Sequence, residues 1–194
     1  PMFRPISISA ISMDKISKAN RPIKVLNLFA YTGGATCAAS YAGAEEVCHV
    51  DASKGMVAWA KENAELSGLS NNKIRYIVDD CFKFVQREIR RGNKYDAVIM
   101  DPPSYGRGPN GEIWKFEEEL TKLLKLTSQV LSDEPLFLLL NSYTTGLSPT
   151  AIENMLKLII VKDKQGSVSS GEIGLPVKRE DLILPCGIYG RWEK

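Results

Sequence analysis

The sequence has 194 residues, of which 44% are hydrophobic, and a formal net charge of +2. This is enough for one domain with a buried core, and the near-neutral charge neither requires nor excludes a nucleic-acid partner, which would have to bind a local patch. No apolar run approaches the roughly eighteen residues that a membrane-spanning helix needs. The four cysteines form no C-x-x-C pair and His49 is the single histidine, so the sequence predicts reduced thiols, a cytoplasmic location and no metal site.

Taken in chain order, residues 1–22 show no clear periodicity and are interpreted as an N-terminal lead-in to one domain over residues 23–194. In that domain, short apolar runs alternate with segments whose apolar residues have helical spacing. Strands are predicted at 23–30, 46–51, 74–78, 95–100 and 136–142. Helices are predicted at 34–42, 54–67, 82–91, 113–131 and 149–160.

Strict alternation of strands and helices is typical of β-α-β units with a parallel sheet. Residues 167–175 and 182–192 are strand-like with no helix between them, which predicts an antiparallel hairpin. The predicted fold is therefore α/β and Rossmann-like, with a seven-stranded, mostly parallel sheet, helices on both faces and an antiparallel C-terminal hairpin.

The first predicted strand ends in a turn that contains Gly33 and Gly34, and a helix follows it. The first amides of a helix have no intrahelical partner and lie at the positive end of the helix dipole, so such a turn can bind a negative group. The turn lacks the further glycines of the G-x-G-x-x-G fingerprint, which disfavours a nicotinamide-dependent dehydrogenase. An ordinary tight turn is the alternative interpretation.

A carboxylate supports the cofactor interpretation of this turn. Asp51 ends the second predicted strand, about twenty residues after the glycine turn, where ribose hydroxyls are bound in folds of this class. The two features together predict a ligand that carries a ribose but no pyrophosphate.

Four motifs at successive strand ends carry a resemblance to a known family: NLFAYTGG at 27–34, HVDAS at 49–53, DDCFKF at 79–84 and DPPSYGRG at 101–108. On these motifs the chain resembles the class I S-adenosylmethionine-dependent methyltransferases, in particular the ribosomal RNA large-subunit methyltransferase branch. The resemblance implies that S-adenosylmethionine is the cofactor, that a base in ribosomal RNA is the methyl acceptor and that RNA is the partner. The alternatives are methylation of a protein or a small molecule, and a non-catalytic RNA-binding module.

The resemblance also implies roles for individual residues at the cofactor. The glycine turn would contact the methionine part, Asp51 the ribose, and Asp80 the adenine amino group. Asp79 is the competing candidate for the adenine contact, and otherwise it would be an N-cap ahead of the helix that is predicted to begin at Phe82. The implied cofactor contacts are Phe29, Tyr31, Thr32, Gly33, Asp51, Ala52, Ser53, Asp80, Cys81, Phe82 and Asp101.

The fourth motif resembles the D/N-P-P-aromatic signature of methyltransferases that act on a planar nitrogen. In that signature the acidic side chain and the next carbonyl accept hydrogen bonds from an amino group, and the aromatic ring stacks on the base. The implied catalytic residues are Asp101, Pro102, Pro103 and Tyr105. Ser104 stands where the signature has its aromatic residue and Tyr105 follows one place later, which leaves the stacking role of Tyr105 open. An Asp-Pro pair that merely ends a strand is the alternative.

A rival chemistry is methylation at C5 of cytosine, which needs a nucleophilic cysteine. Related RNA methyltransferases carry that cysteine just after the fifth strand, where this chain has NSYT at 141–144. Cys186 on the last predicted strand is a candidate replacement. The favoured interpretation of Cys186, as of Cys37 and Cys48, is a small buried core residue.

The remaining features receive structural interpretations. The glycine-rich loop at 106–112 is predicted to be a lid over a substrate, and Trp114 to anchor the helix that follows, with substrate contact by Trp114 and Lys115 left open. His49 is predicted to be a core residue. A run of basic residues is predicted to be a solvated helix face rather than a phosphate-binding surface: Lys83, Arg87, Arg90, Arg91 and Lys94.

Overall fold

The computed structural model describes residues 7–107, 111, 113–178 and 182–194. The strands in these residues are β1 (Lys24–Leu28), β2 (Glu46–Asp51), β3 (Ile74–Val78), β4 (Ala97–Met100), β5 (Tyr105–Arg107), β6 (Ile113–Lys115), β7 (Phe137–Ser142), β8 (Ser167–Pro176) and β9 (Ile183–Glu193). The helices are α1 (Ser7–Ser17), α2 (Gly34–Tyr41), α3 (Lys54–Leu66), α4 (Cys81–Arg91), α5 (Phe116–Val130), α6 (Pro149–Leu156) and α7 (Lys162–Lys164), with a π-helix, Lys157–Val161, between α6 and α7.

Seven of the strands form one sheet in the order β3-β2-β1-β4-β7-β9-β8. The strands from β3 to β7 in this order are parallel, while β9 runs antiparallel to both β7 and β8. This arrangement confirms the predicted fold, including the C-terminal hairpin. Leu28 at the end of β1 is level with Val50 in β2 and Met100 in β4, so the residues that follow these three strands meet at one edge of the sheet.

Two apolar clusters cover the two faces of the sheet. In β1, Leu26 and Leu28 belong to one cluster and Val25 to the other, because successive side chains in a strand point to opposite faces. Both faces are covered by helices, and this explains why the central strands are continuous apolar runs.

Helix α1 is a feature that the sequence prediction missed. Ile16 of α1 is buried in the same cluster as Ile23 and Val25, so part of the predicted lead-in packs on the sheet. Residues 1–6 lie outside the described residues, and the proposed domain boundary between residues 22 and 23 stays a prediction.

Two other predicted elements differ in the structure. The predicted helix at 113–131 begins only at Phe116, because Ile113–Lys115 pairs with Tyr105–Arg107 as a two-stranded antiparallel sheet. Gly106 and Arg107 therefore belong to a strand rather than to the predicted lid loop, and residues 108–110 and 112 of that loop lie outside the described residues. The predicted helix at 149–160 stops being α-helical at Leu156 and continues as the π-helix.

The C-terminal hairpin packs closely against α6 through Gly190. A Cβ atom added at Gly190 would overlap with Ile152 Cγ2 and lie 2.9 Å from Leu156 Cδ1. Both partners are fully buried, so they have little room to move.

We expect Gly190→Ala to lower the free energy of unfolding by about 1–3 kcal/mol, because the added methyl group overpacks the contact between β9 and α6. Urea denaturation measures this change. Gly34→Ala is the matched control, since an added Cβ there meets nothing within 4 Å and alanine is the better helix former. Equal unfolding midpoints for the two variants would contradict the packing argument.

Candidate cofactor and acceptor site

A cavity of about 430 Å³ opens at the edge of the sheet where β1, β2 and β4 end. Its lining residues are Phe29, Tyr31, Asp51, Ala52, Ser53, Asp80, Cys81, Asp101, Pro103, Gly106, Trp114 and Tyr143. They come from the four sequence motifs, the β5–β6 hairpin and the segment after β7. The structure thus brings most of the predicted site residues to one cavity, at the edge where open α/β sheets bind ligands.

The turn after β1 forms one wall of the cavity in an unusual conformation. Phe29 and Tyr31 have φ angles of 54° and 48°, a region that costs a non-glycine residue roughly 1–3 kcal/mol. Two hydrogen bonds to side chains hold the turn: the Phe29 amide donates to Cys81 Sγ at 3.3 Å, and the Tyr31 amide donates to Asp51 Oδ2 at 2.9 Å. The strained turn is therefore fixed by Asp51, which ends β2, and by Cys81, which lies after β3.

Asp51 is held in place by main-chain amides on both carboxylate oxygens. Besides the bond from Tyr31, Oδ1 accepts from the Ser53 amide at 2.9 Å. Each carboxylate oxygen can accept a further hydrogen bond, so Asp51 can still bind two ligand hydroxyls. This fits a ribose at the position that the sequence predicts.

Gly33 occupies the N-cap position directly before α2, and glycine is required there for two reasons. Its φ angle is 85°, and an added Cβ would lie 2.9 Å from the Cβ of Ala60 in α3. The neighbouring Thr32 carbonyl accepts a hydrogen bond from Asn63 Nδ2 at 2.9 Å. Thr32 and Gly33 thus join α2 to α3 and are absent from the cavity lining, so their contact with the cofactor stays a prediction.

A buried polar chain lies beneath the turn. Asn27 Nδ2 donates to Thr36 Oγ1 at 2.9 Å, and that oxygen lies 2.9 Å from His49 Nδ1. His49 is fully buried, and burial lowers its pKa to about 4, so the imidazole is neutral near pH 7. The prediction that His49 is a core residue is confirmed.

Of the two acidic residues after β3, the one that caps α4 differs from the sequence prediction. Asp80 caps α4, because its Oδ1 accepts from the Lys83 amide at 2.9 Å, whereas Asp79 forms an ion pair with Arg87. The interpretation of Asp79 as the cap is wrong, since α4 begins one residue earlier than predicted, at Cys81. Asp80 also lines the cavity, while Phe82 is absent from the lining, so the adenine contacts of both stay predictions.

Asp101 is the most unusual polar group in the cavity wall. It follows β4, and its Oδ1 is buried without a hydrogen-bond partner among the described residues. Burial raises the pKa of this carboxyl from 3.8 to about 6. An unpaired buried acceptor costs about 1–3 kcal/mol, and such groups in a cavity mark candidate functional sites.

The segment after Asp101 is fixed by Trp114. The Trp114 indole Nε1 donates to the Pro103 carbonyl at 2.6 Å, and its ring centroid lies 5.1 Å from that of Phe29. Trp114 is 8% exposed and lies in β6, two residues before α5 begins at Phe116, which agrees with its predicted anchoring role. Pro102 is buried, and neither it nor Tyr105 lines the cavity, so their catalytic roles stay predictions.

Tyr143 is a lining residue to which the sequence reasoning assigned no role. It follows β7, which pairs directly with β4, and so it lies near Asp101. The signal that could have found it is an aromatic residue at a strand end beside the D-P-P motif.

All four cysteines lie in the described part of the chain, and one of them, Cys81, lines the cavity. Burial raises the pKa of the Cys81 and Cys48 thiols, Cys48 to about 11, so both are protonated near pH 7. Cys37 and Cys186 are only partly buried, so their interpretation as buried core residues is wrong.

The basic residues of α4 and its flank lie on an exposed or ion-paired face, as predicted. Arg91 pairs with Glu88 at 3.1 Å, and Lys94 Nζ donates to the Gln129 carbonyl at 2.7 Å. These contacts agree with a solvated helix face, and the expectation that this face does not bind phosphate stays a prediction.

Comparison with known proteins decides the family. The family described as S-adenosylmethionine-dependent methyltransferase matches residues 13–142, about two thirds of the chain. The chain belongs to this family. Its cofactor is accordingly S-adenosylmethionine, and the predicted resemblance is confirmed.

Individual relatives agree with this assignment. A crystal structure of a SAM-dependent methyltransferase from Agrobacterium tumefaciens is 39% identical, has a TM-score of 0.91, and is matched over 96% of this methyltransferase and 61% of its own chain. Ribosomal RNA large subunit methyltransferase I of Aeromonas salmonicida is 39% identical over 46% of this chain and 23% of its own length. Ribosomal RNA large subunit methyltransferase K/L of Shewanella frigidimarina is 36% identical over 56% of this chain and 15% of its own length. The methyltransferase described here therefore matches only part of each relative.

Within the described residues, no helix of this methyltransferase combines the length and apolar character needed to cross a membrane.

We expect Asp51→Ala to weaken S-adenosylmethionine binding by about tenfold or more. The variant would lose the carboxylate that is predicted to accept from the ribose, and hydrogen bonds to a charged group are worth about 1.5–3 kcal/mol each. It also releases the strained turn at Tyr31. Isothermal titration calorimetry measures the Kd. The Kd of Asp101→Ala for S-adenosylmethionine is expected to stay within a few-fold of the wild-type value. An equal loss of affinity in both variants would contradict the predicted roles.

We expect Asp101→Asn to raise the Tm at pH 7.5 by about 2–6 °C, because it removes a buried charge. The folded-state pKa of about 6 exceeds the ordinary value of 3.8, so the native state binds more protons between these values and wild-type stability falls as the pH rises through this window. The gain should therefore shrink markedly at pH 4.

Differential scanning calorimetry without ligand tests this pH dependence. Asp133→Asn is the matched control, because Asp133 is exposed and its substitution should leave the Tm nearly unchanged at both pH values. A gain from Asp101→Asn that is the same at pH 4 and pH 7.5 would show that charge burial is not its cause.

Proposed function

We propose that this methyltransferase transfers the methyl group of S-adenosylmethionine to an amino nitrogen of a base in ribosomal RNA, in the cytoplasm. The observation that carries the proposal is the buried, unpartnered Oδ1 of Asp101 in the cavity wall. Such an oxygen can accept a hydrogen bond from the acceptor's amino group and so direct its nitrogen at the methyl carbon. The names of the curated relatives support ribosomal RNA as the substrate.

The cofactor would be held by the β1, β2 and β3 side of the cavity. Asp51 would accept hydrogen bonds from the ribose hydroxyls, and Asp80, whose Oδ1 caps α4, could accept from the adenine amino group through its other oxygen. The remaining proposed contacts are Phe29, Tyr31, Ala52, Ser53 and Cys81. Bound there, S-adenosylmethionine supplies an electrophilic methyl group.

The residues of the β4 side would position the acceptor. As the bond from nitrogen to the methyl carbon forms, the bond from that carbon to sulfur breaks, and S-adenosylhomocysteine is the product. The methylated nitrogen then carries an excess proton. With a pKa of about 6, Asp101 is largely ionised near pH 7 and can accept both the hydrogen bond and this proton.

The contacts of the site disfavour two alternatives. Methylation at C5 of cytosine needs a thiolate, whereas Cys81 in the cavity wall has a raised pKa, and the partly exposed Cys186 donates its thiol to the Leu184 carbonyl at 3.3 Å. A non-catalytic binding module offers no reason to bury Asp101 Oδ1 without a hydrogen-bond partner, because this burial destabilises the fold.

Radiolabelled S-adenosylmethionine tests the proposal with three acceptor pools from a strain that lacks the gene: ribosomal RNA, transfer RNA and protein. We expect label in large-subunit ribosomal RNA, and none in the same RNA from the parent strain, where the site is already methylated. Asp101→Ala should lower kcat by roughly 100-fold or more. Mass mapping of the labelled RNA identifies the base and atom.

Several results would overturn the proposal. Label found in protein or transfer RNA would show that the substrate belongs to another class. A methyl group mapped to a carbon atom or a ribose would show that the acceptor is not an amino nitrogen. Full transfer by Asp101→Ala would remove the role of that carboxylate.

A further inference from the structure

Tyr143 lies on the acceptor side of the cavity, with its ring open to a substrate. It lines the same cavity as Asp101 and Pro103, and 56% of its surface is exposed. Burial of the remainder raises the pKa of its hydroxyl, and the Asp101 carboxylate raises it further, which agrees with the proximity of the two side chains. An aromatic ring therefore stands next to the proposed hydrogen-bond acceptor.

The back of the Tyr143 ring is supported by a glycine in the neighbouring strand. Gly187 in β9 has a φ angle of 140°, and an added Cβ would lie 2.8 Å from Tyr143 Cδ1 and 2.6 Å from the Ser142 carbonyl oxygen. Only a residue without a side chain lets β9 approach the ring this closely. The ring is thus backed by main chain, and its exposed part is left for a ligand.

The segment that carries Tyr143 is tied to the D-P-P motif. Thr144 Oγ1 and Ser104 Oγ are 3.0 Å apart and share a hydrogen bond, and the Thr144 amide donates to Ser142 Oγ at 3.1 Å. Ser104 occupies the motif position where the signature has its aromatic residue. Its hydroxyl instead holds the loop that brings an aromatic ring from β7.

Tyr105, the tyrosine nearest in sequence to the motif, is placed differently. It pairs with Lys115 in the β5–β6 hairpin, is 53% exposed and is absent from the cavity lining. Exposure alone therefore does not distinguish the two tyrosines, whereas their position relative to the cavity does.

We propose that Tyr143, rather than Tyr105, supplies the aromatic face on which the acceptor base stacks beside Asp101. The inference rests on the proposed transfer to a base, and it names the residue on which the ring of that base stacks. The substrate class that this arrangement fits is a planar heteroaromatic base with an amino group, unpaired so that both its face and its edge are accessible.

The test compares steady-state kinetics of Tyr143→Ala, Tyr143→Phe, Tyr105→Ala and Tyr41→Ala with the wild-type chain, using ribosomal RNA from the deletion strain. Tyr41 is 83% exposed in α2 and serves as the matched surface control. We expect Tyr143→Ala to lower kcat/KM for RNA by roughly 5- to 150-fold, the range that loss of one base-aromatic stack gives. The kcat/KM of Tyr143→Phe for RNA should stay within about threefold of the wild-type value, because the aromatic ring is kept. In all four variants the Kd for S-adenosylmethionine should be unchanged.

Each other outcome decides against the inference. If Tyr143→Ala matches Tyr41→Ala, or if Tyr105→Ala alone is impaired, Tyr143 is not the stacking residue, although transfer by the wild type still upholds the proposed function. If Tyr143→Phe is as impaired as Tyr143→Ala, the hydroxyl acts and stacking is overturned. If the wild-type chain transfers nothing to RNA, the proposed function falls and the inference falls with it.

Discussion

The carboxylate of Asp51 joins the ends of two neighbouring strands by accepting hydrogen bonds from the Tyr31 and Ser53 amides. The first of these bonds holds the turn after β1, whose Phe29 and Tyr31 have left-handed backbone conformations. Such conformations persist only where surrounding contacts enforce them. The shape of the cavity wall therefore depends on one acidic residue at the end of β2.

The same turn connects the cofactor side of the cavity to the acceptor side. The Phe29 ring packs against Trp114, and the Trp114 indole binds the Pro103 carbonyl two residues after Asp101. A continuous set of contacts thus runs from Asp51 to the D-P-P motif. We interpret it as the means by which the two reactants are held in one geometry, which is the main requirement for a direct methyl transfer.

The site is assembled at a cost to stability. The strained turn and the unpaired oxygen of Asp101 each raise the free energy of the folded chain. The buried chain of Asn27, Thr36 and His49 lies below them, and within it the Nε2 atom of His49 is also buried without a hydrogen-bond partner among the described residues. The apolar clusters on both faces of the sheet supply the compensating burial.

The sequence by itself determined the fold class and the ligand-binding edge, because alternating apolar runs and glycine turns are local signals and parallel strands end at a common edge. It also placed Asp51 and Asp101 at that edge, since Asp51 ends one strand and Asp101 directly follows another. Tertiary packing alone decided that residues 7–17 form a helix on the core and that Trp114 and Tyr143 line the cavity. The capping of α4 by Asp80 is a local contact that the sequence reasoning assigned to Asp79. The position of Tyr143 depends on the hydrogen bond between Ser104 and Thr144 and on the close approach of Gly187, and both Ser104 and Gly187 are distant from Tyr143 in sequence. No local pattern encodes contacts that form only when separate strands pair.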